Sequence, residues 1–143
     1  MSLERVIEIA RGELGYTESP PGSNRTKYWE EYDPKMQGQP WCVAFLWWCF
    51  REAGEASAFL GGAKTASCGT LLRWYREQGM TVSISETVPG DIVILNFRGK
   101  TDTQHCGLVE SVAHGRDGSV QGIITIEGNT TASASGSQDH GGC

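Results

Sequence analysis

The sequence predicts an α+β fold, with helices in the first half of the chain and an antiparallel sheet in the second. Up to about residue 78, apolar residues recur three and four positions apart, the spacing of helices with a buried face. Beyond residue 90, short apolar runs are separated by turn residues, a pattern typical of strands. Because helices precede strands rather than alternate with them, we expect helices packed on one antiparallel sheet.

The first predicted helix spans residues 3–14, where apolar residues follow the helical period and Gly15 stands in the position of a C-terminal cap. Residues 16–40 are polar and rich in proline, glycine and asparagine, so they predict a long loop with one helical turn near residues 28–31. A loop of this length is uncommon in a small domain unless it has a function.

The second predicted helix, residues 41–53, is apolar on every side until its last residues, so we expect it to be buried. Pro40 fixes its start, because proline is tolerated before a helix or in its first turn but not in its interior. Gly54 ends it, and a third, amphipathic helix is predicted at residues 65–78.

Three strands are predicted at residues 91–97, 105–113 and 120–129. The last two are joined by Gly-Arg-Asp-Gly at 115–118, which is a hairpin signal. We place one domain at residues 1–130, with the Gly- and Ser-rich residues 131–143 as a tail or the start of a linker.

The composition is that of one globular domain with an acidic balance. A length of 143 residues suits a single domain. A net charge of -5 and a pI near 5.1 argue against nucleic acid or an anionic membrane as the main partner. The longest apolar stretch, residues 41–50, is too short to span a bilayer, and no secretory signal peptide precedes the first helix.

The five cysteines, at positions 42, 49, 68, 106 and 143, are an odd number without a C-x-x-C pair. This pattern argues against a disulfide framework and against a structural zinc site. We therefore predict no metal and no cofactor. Cys49, Cys68 and Cys106 are interpreted as small buried side chains, the usual state of a free cysteine.

Cys42 is a candidate nucleophile because it lies in the first turn of the buried helix, where the helix dipole favours a thiolate. A thiolate nucleophile needs a base. Of the three histidines, His114 falls in the hairpin turn and His140 in the tail, which leaves His105 at the start of a strand.

Pairing Val112 with Val120 around the hairpin turn places His105 opposite Glu127, within reach of a hydrogen bond. Alternation puts Glu127 and Asn129 on one face of the strand. The same alternation predicts that Ile124 and Ile126 point the other way, into the core. The resulting hypothesis is a Cys–His–Glu triad in which Glu127 or Asn129 orients the imidazole, and backbone N–H groups at the helix start contribute to an oxyanion hole.

Four segments in this order resemble the CHAP family of cysteine, histidine-dependent amidohydrolases and peptidases, which belongs with the NlpC-type, papain-like cell-wall hydrolases. They are QPWCVAF at 39–45, PGDIV at 89–93, HCGLVESV at 105–112 and IEGNT at 126–130. The resemblance implies a papain-like fold and cleavage of amide bonds in bacterial peptidoglycan. It implies Cys42 as the nucleophile, His105 as the base, and Glu127 with Asn129 as orienting residues.

Many members of this family are phage or prophage endolysins with a separate wall-binding module, so the resemblance implies peptidoglycan and such a module, outside this chain, as partners. It also implies synthesis in the cytoplasm and release to the cell wall by the lysis route, or secretion by a route that this sequence does not encode. Some relatives bind calcium, but Glu30, Glu31 and Asp33 do not have the spacing of calcium ligands, so we predict none. Gln39 and Trp41, beside the nucleophile, are candidates for substrate binding.

The main hypothesis is an enzyme that acts through a thioester, namely an N-acetylmuramoyl-L-alanine amidase or a cell-wall endopeptidase. One alternative is a domain with the same fold but without the chemistry, which serves as a wall-binding or scaffold module. A third possibility is an intracellular thiol amidohydrolase acting on other amides. The complete set of Cys42, His105 and Glu127 favours an enzyme.

Overall fold

The computed structural model describes residues 3–95 and 105–129, and it confirms the α+β class. Helices in the N-terminal part pack against a three-stranded antiparallel sheet. Within the described ranges, no helix has the length and apolar character needed to cross a membrane. The α-helices are α1 (Glu4–Gly12), α2 (Lys27–Tyr32), α3 (Cys42–Glu52) and α4 (Cys68–Glu77), and the strands are β1 (Ile92–Leu95), β2 (His105–His114) and β3 (Val120–Ile126).

Helix α3 is the centre of the core, as its apolar sequence predicts. Seven of its 11 residues are buried, and only Trp47 and Trp48 among its apolar side chains are partly exposed. Helices α1 and α2 pack on α3, which in turn packs on β2. The predicted helical turn in the long loop is α2, which buries Tyr28 and Trp29 completely. Gly54 ends α3 with a positive φ of 75°, a conformation that favours glycine.

The strands pair in the order β1-β2-β3, and the predicted hairpin joins β2 to β3. The predicted register of this hairpin is wrong. Val109 pairs with Thr125 and Leu108 with Ile126, two positions away from the pairing that we expected. The displacement is already present beside the turn, where Val120 pairs with His114 instead of Val112, because the chain turns within residues 115–119 and the N–H of Gly115 donates to the carbonyl of Ser119. A β-bulge at Glu110 and a second irregularity at Gln121 add one residue to opposite strands, so together they leave the register at the start of β2 unchanged.

The prediction for the inward face of β3 is half correct. Ile126 is 3% exposed, but Ile124 is 59% exposed. Strand β2 is fully buried only over its first five residues, so the helices cover only that end of the sheet. Ile124 pairs with Ser111 beyond the covered end and therefore faces solvent.

Two parts of the sequence interpretation lie outside the described residues. They are the last two positions of the strand predicted at 91–97 and the tail at 131–143. The domain boundary at residue 130 stays a prediction.

Candidate active site

Cys42, the predicted nucleophile, is the first residue of α3 and is 4% exposed. The helix begins here because Pro40 cannot continue a helix toward the N-terminus and Trp41 occupies the N-cap position without a capping side chain. Cys42 therefore lies at the positive end of the α3 dipole, which favours a thiolate.

His105 and Glu127 contact each other directly at the covered end of the sheet. His105 is the first residue of β2 and is 2% exposed, and its Nε2 lies 2.6 Å from Oε1 of Glu127. Because Nε2 is held by the carboxylate, Nδ1 is the nitrogen left for the thiol of Cys42, with which the imidazole interacts. The two residues are not opposite each other, as the predicted register required, but diagonal.

Gly107, a residue without a predicted role, makes this diagonal contact possible. It stands opposite Glu127, and a Cβ atom at this position would lie 2.5 Å from Cγ of Glu127. The carboxylate side chain therefore crosses the strand over a glycine and reaches His105 two residues away. An even displacement in register keeps both side chains on the same face, which is why the predicted pair meets although the register is wrong.

Thr125 is a second residue without a predicted role. Its hydroxyl donates a hydrogen bond to Oε2 of Glu127, so both carboxylate oxygens have partners. Thr125 lies two positions before Glu127 on the same face of the chain, and this alternation is the only sequence signal for it.

Hydrogen bonds and charge determine the protonation of these groups. Hydrogen bonds from the thiols of Cys106 and Cys68 hold the pKa of Cys42 well below its usual range. Burial opposes this effect, and His105 lowers the pKa further. Burial by itself lowers the pKa of His105, but the interactions with Cys42 and Glu127 outweigh it and raise the pKa to about 9. The hydrogen bond from His105 in turn lowers the pKa of Glu127. The directions of these pKa shifts favour a thiolate on Cys42, an imidazolium on His105 and a carboxylate on Glu127.

Asn129 is fully buried and has a positive φ of 58°. Its amide oxygen and nitrogen have no hydrogen-bond partner among residues 3–95 and 105–129, so of the two orienting candidates only Glu127 bonds to His105. The backbone before it packs tightly on α3, because a Cβ atom on Gly128 would lie 2.6 Å from Cβ of Phe45.

The two residues expected to bind substrate differ in their exposure. Trp41 is 0% exposed and stacks on Tyr28 with ring centroids 5.4 Å apart, so a role in lining a substrate groove does not fit its position. Apolar packing around the start of α3 explains this burial. Gln39 has an exposed side chain, and its backbone carbonyl accepts a hydrogen bond from Nε1 of Trp29 at 2.9 Å. The substrate-binding role of Gln39 stays a prediction.

Three cysteines that no pattern in the sequence connects lie together in the structure. The Sγ atoms of Cys42, Cys68 and Cys106 all lie within 4.8 Å of one another, and those of Cys42 and Cys68 are 3.9 Å apart. Cys68 and Cys106 are buried, as predicted, but beside Cys42 rather than in unrelated parts of the core. Their positions come from different elements, so no local spacing in the sequence reports the cluster. Interaction with Cys42 and burial raise the pKa of Cys68 to about 12, although Cys106 acts in the opposite direction.

A thiol beside an imidazole that is itself held by a carboxylate is the arrangement of hydrolases that use a cysteine nucleophile. The family model for the CHAP domain matches residues 34–129, which include all three of these groups, and the chain belongs to this family. Neither the curated proteins nor the solved structures include a match to this sequence. Membership of the family implies a hydrolase of the amidase or peptidase kind and suggests peptidoglycan as its substrate.

Proposed function

We propose that this protein is a peptidoglycan hydrolase that cleaves an amide bond through a thioester on Cys42. The observation that carries the proposal is the position of His105, which interacts with the Cys42 thiol while Glu127 holds its Nε2 at 2.6 Å. This contact fixes the tautomer and the direction of the imidazole, the function of the third residue in cysteine and serine hydrolases.

In the proposed reaction, the Cys42 thiolate attacks the carbonyl carbon of the amide. The oxyanion of the tetrahedral intermediate accepts hydrogen bonds from backbone N–H groups at the start of α3, where the helix dipole also stabilises negative charge. His105 then donates its Nδ1 proton to the leaving amine as the C–N bond breaks, which leaves a thioester and a neutral imidazole.

Hydrolysis of the thioester completes the cycle. Neutral His105 takes a proton from water, and the hydroxide attacks the thioester carbonyl. Collapse of the second intermediate releases the carboxylic acid product and returns the thiolate, with the imidazolium restored beside it. Glu127 stays ionised throughout the cycle. Its charge lies against Nε2 and stabilises the imidazolium both before the attack on the amide and after hydrolysis of the thioester.

We further propose an endolysin-type role, in which the chain is made in the cytoplasm and reaches the wall after a membrane lesion. The net charge of the chain supports a role in catalysis alone, with retention at the wall left to another module. A net charge of -5 gives little attraction to an anionic cell wall, so a separate wall-binding module would supply retention. The muramoyl–alanine amide, the stem peptide and the cross-bridge all present a carbonyl to the same three groups, and the shape of the groove selects among them.

Digestion of soluble, purified peptidoglycan fragments from several Gram-positive wall types tests the proposal without requiring a wall-binding module. Mass spectrometry of the products identifies the new amine and carboxyl termini. We expect fragments from the wild type and from Cys49→Ala, which removes a buried thiol on the same helix but away from the cluster, and none from Cys42→Ala. Fragments released by Cys42→Ala would contradict the mechanism, and intact peptidoglycan from every wall type would contradict the substrate.

A further inference from the structure

The three-cysteine cluster has the dimensions of a metal site. In tetrahedral zinc sites the Zn–S bond is about 2.3 Å, which places two sulfur ligands about 3.8 Å apart. The Sγ atoms of Cys42 and Cys68 are 3.9 Å apart, and no pair in the cluster exceeds 4.8 Å. A movement of less than about 1 Å would bring all three sulfurs to one ion.

The electrostatic setting of the cluster favours bound thiolates. Cys42 is the first residue of α3 and Cys68 the first residue of α4, so the N-termini of two helices, of 11 and 10 residues, meet at the cluster. Each helix N-terminus stabilises negative charge nearby. Three thiolates around a divalent cation carry a net charge of minus one, which these two helix ends would help to neutralise.

All three residues of the cluster are buried, and their burial is least complete at Cys42 and Cys68. Cys106 is 0% exposed, whereas Cys42 and Cys68 retain 4% and 7% exposure. Soft thiolate ligands select thiophilic ions such as zinc over calcium or magnesium, which prefer oxygen.

We propose that Cys42, Cys68 and Cys106 form a binding site for a thiophilic divalent cation, Zn²⁺, whose occupancy blocks the nucleophile. The ion replaces the protons that remain on the three sulfurs, and these protons are released to solvent. The fourth position is left for water or for Nδ1 of His105, which in that case also releases its proton to solvent. A sulfur bound to zinc has donated electron density to the ion and is a much weaker nucleophile toward a carbonyl carbon, and the ion also occupies the space of the attack, so bound protein is held inactive. Zinc binding stands on the geometry alone, whereas its effect on hydrolysis rests on the proposed function.

Cobalt absorption tests binding without any assay of activity. Untagged protein carrying Cys143→Ser, which removes the tail thiol, is reduced and titrated with Co²⁺. We expect the thiolate-to-cobalt charge-transfer band and the visible bands of tetrahedral cobalt at one equivalent, and their loss when Zn²⁺ is added. Cys68→Ala and Cys106→Ala should each weaken Zn²⁺ binding at least about 100-fold, since even an outer-shell partner contributes about 10- to 100-fold. Cys49→Ala should bind like the parent.

The effect on hydrolysis is measured as the ratio of rates with and without Zn²⁺, taken within each variant. The parent and Cys49→Ala should be inhibited and recover with a chelator, whereas Cys68→Ala should keep its own rate over the same range of Zn²⁺. Circular dichroism shows that each variant is folded before it is compared. Absence of the charge-transfer band in the parent, or an unchanged band in folded Cys68→Ala and Cys106→Ala, would overturn the proposal. A cobalt band in a protein that hydrolyses no peptidoglycan would support the metal site and contradict only the proposed function.

Discussion

Replacing Glu127 with glutamine tests the electrostatic core of the proposed mechanism. The substitution keeps the size of the side chain and a hydrogen bond to Nε2 of His105, but it removes the negative charge that lies 2.6 Å away. A hydrogen bond to a charged group contributes about 1.5–3 kcal/mol. The neutral hydrogen bond that is kept contributes about 0.5–1.5 kcal/mol, so the loss is about 1–1.5 kcal/mol. Because about 1.4 kcal/mol corresponds to a factor of ten in rate, we expect kcat/KM to fall about 5- to 13-fold.

The same substitution should change the pH profile in a defined direction. In the wild type the pKa of His105 is about 9, so the imidazolium is present below that value and is lost as the pH rises through it. Hydrolysis should therefore decline on the alkaline side near pH 9. Without the charge of Glu127 the imidazolium is less stable, the pKa of His105 falls, and the alkaline decline moves to lower pH.

The assay is the rate of hydrolysis of soluble peptidoglycan fragments across pH, measured with a chelator present so that no metal ion contributes. Glu77→Gln is the matched control, because Glu77 is an exposed carboxylate at the end of α4. A merely structural role for Glu127 would lower stability without moving the pH profile. An unchanged kcat/KM together with an unmoved alkaline decline would refute the reasoning.

The remaining predictions concern the thiol, the imidazole and two tight glycines. Cys42→Ala and His105→Ala should each abolish hydrolysis while the folded circular dichroism spectrum is kept, and measurable turnover by either folded variant would contradict the proposed roles. Gly107→Ala should lower hydrolysis by displacing the carboxylate of Glu127, whereas Gly122→Ala, whose added methyl meets no atom within 4 Å, should not, and equal rates for the two would be the contrary result. Gly128→Ala should lower the free energy of unfolding by about 1–3 kcal/mol in thermal or urea denaturation, because its methyl would lie 2.6 Å from α3, and an unchanged stability would show that the contact relaxes.

The fold and the His–Glu contact were predictable because each rests on a local period. Short stretches of consecutive residues contain each of these patterns: the apolar stretch that becomes α3, the turn at 115–118 and the alternation around Glu127. The exact pairing was not predictable, because the chain turns more tightly than we expected, with the N–H of Gly115 bonded to the carbonyl of Ser119 and Val120 paired with His114. The contact between His105 and Glu127 was nevertheless predicted, because a displacement of two positions keeps both side chains on the same face of the sheet.

The three-cysteine cluster was not predictable for a different reason. Its members stand at the starts of two helices and within a strand, separated by 26 and 38 positions in the chain, and only tertiary packing brings them together. Rules for metal ligands based on short spacings therefore miss it. The exposure of Ile124 was missed because alternation identifies the two faces of a strand but not how far the helices extend over them.

The irregular ladder between β2 and β3 separates the reactive end of the hairpin from its tip. The extra residue Glu110 in β2 is matched by an extra residue, Gln121, in β3, so the pairing is offset by one position between these two points and the pairing beside the turn is in register with the pairing at the site. The turn at 115–118 lies at the opposite end of the hairpin from His105 and Glu127, with both irregular points between them. We therefore expect that a peptide tag or a second module inserted at this tip would leave the strand ends that carry these two residues aligned.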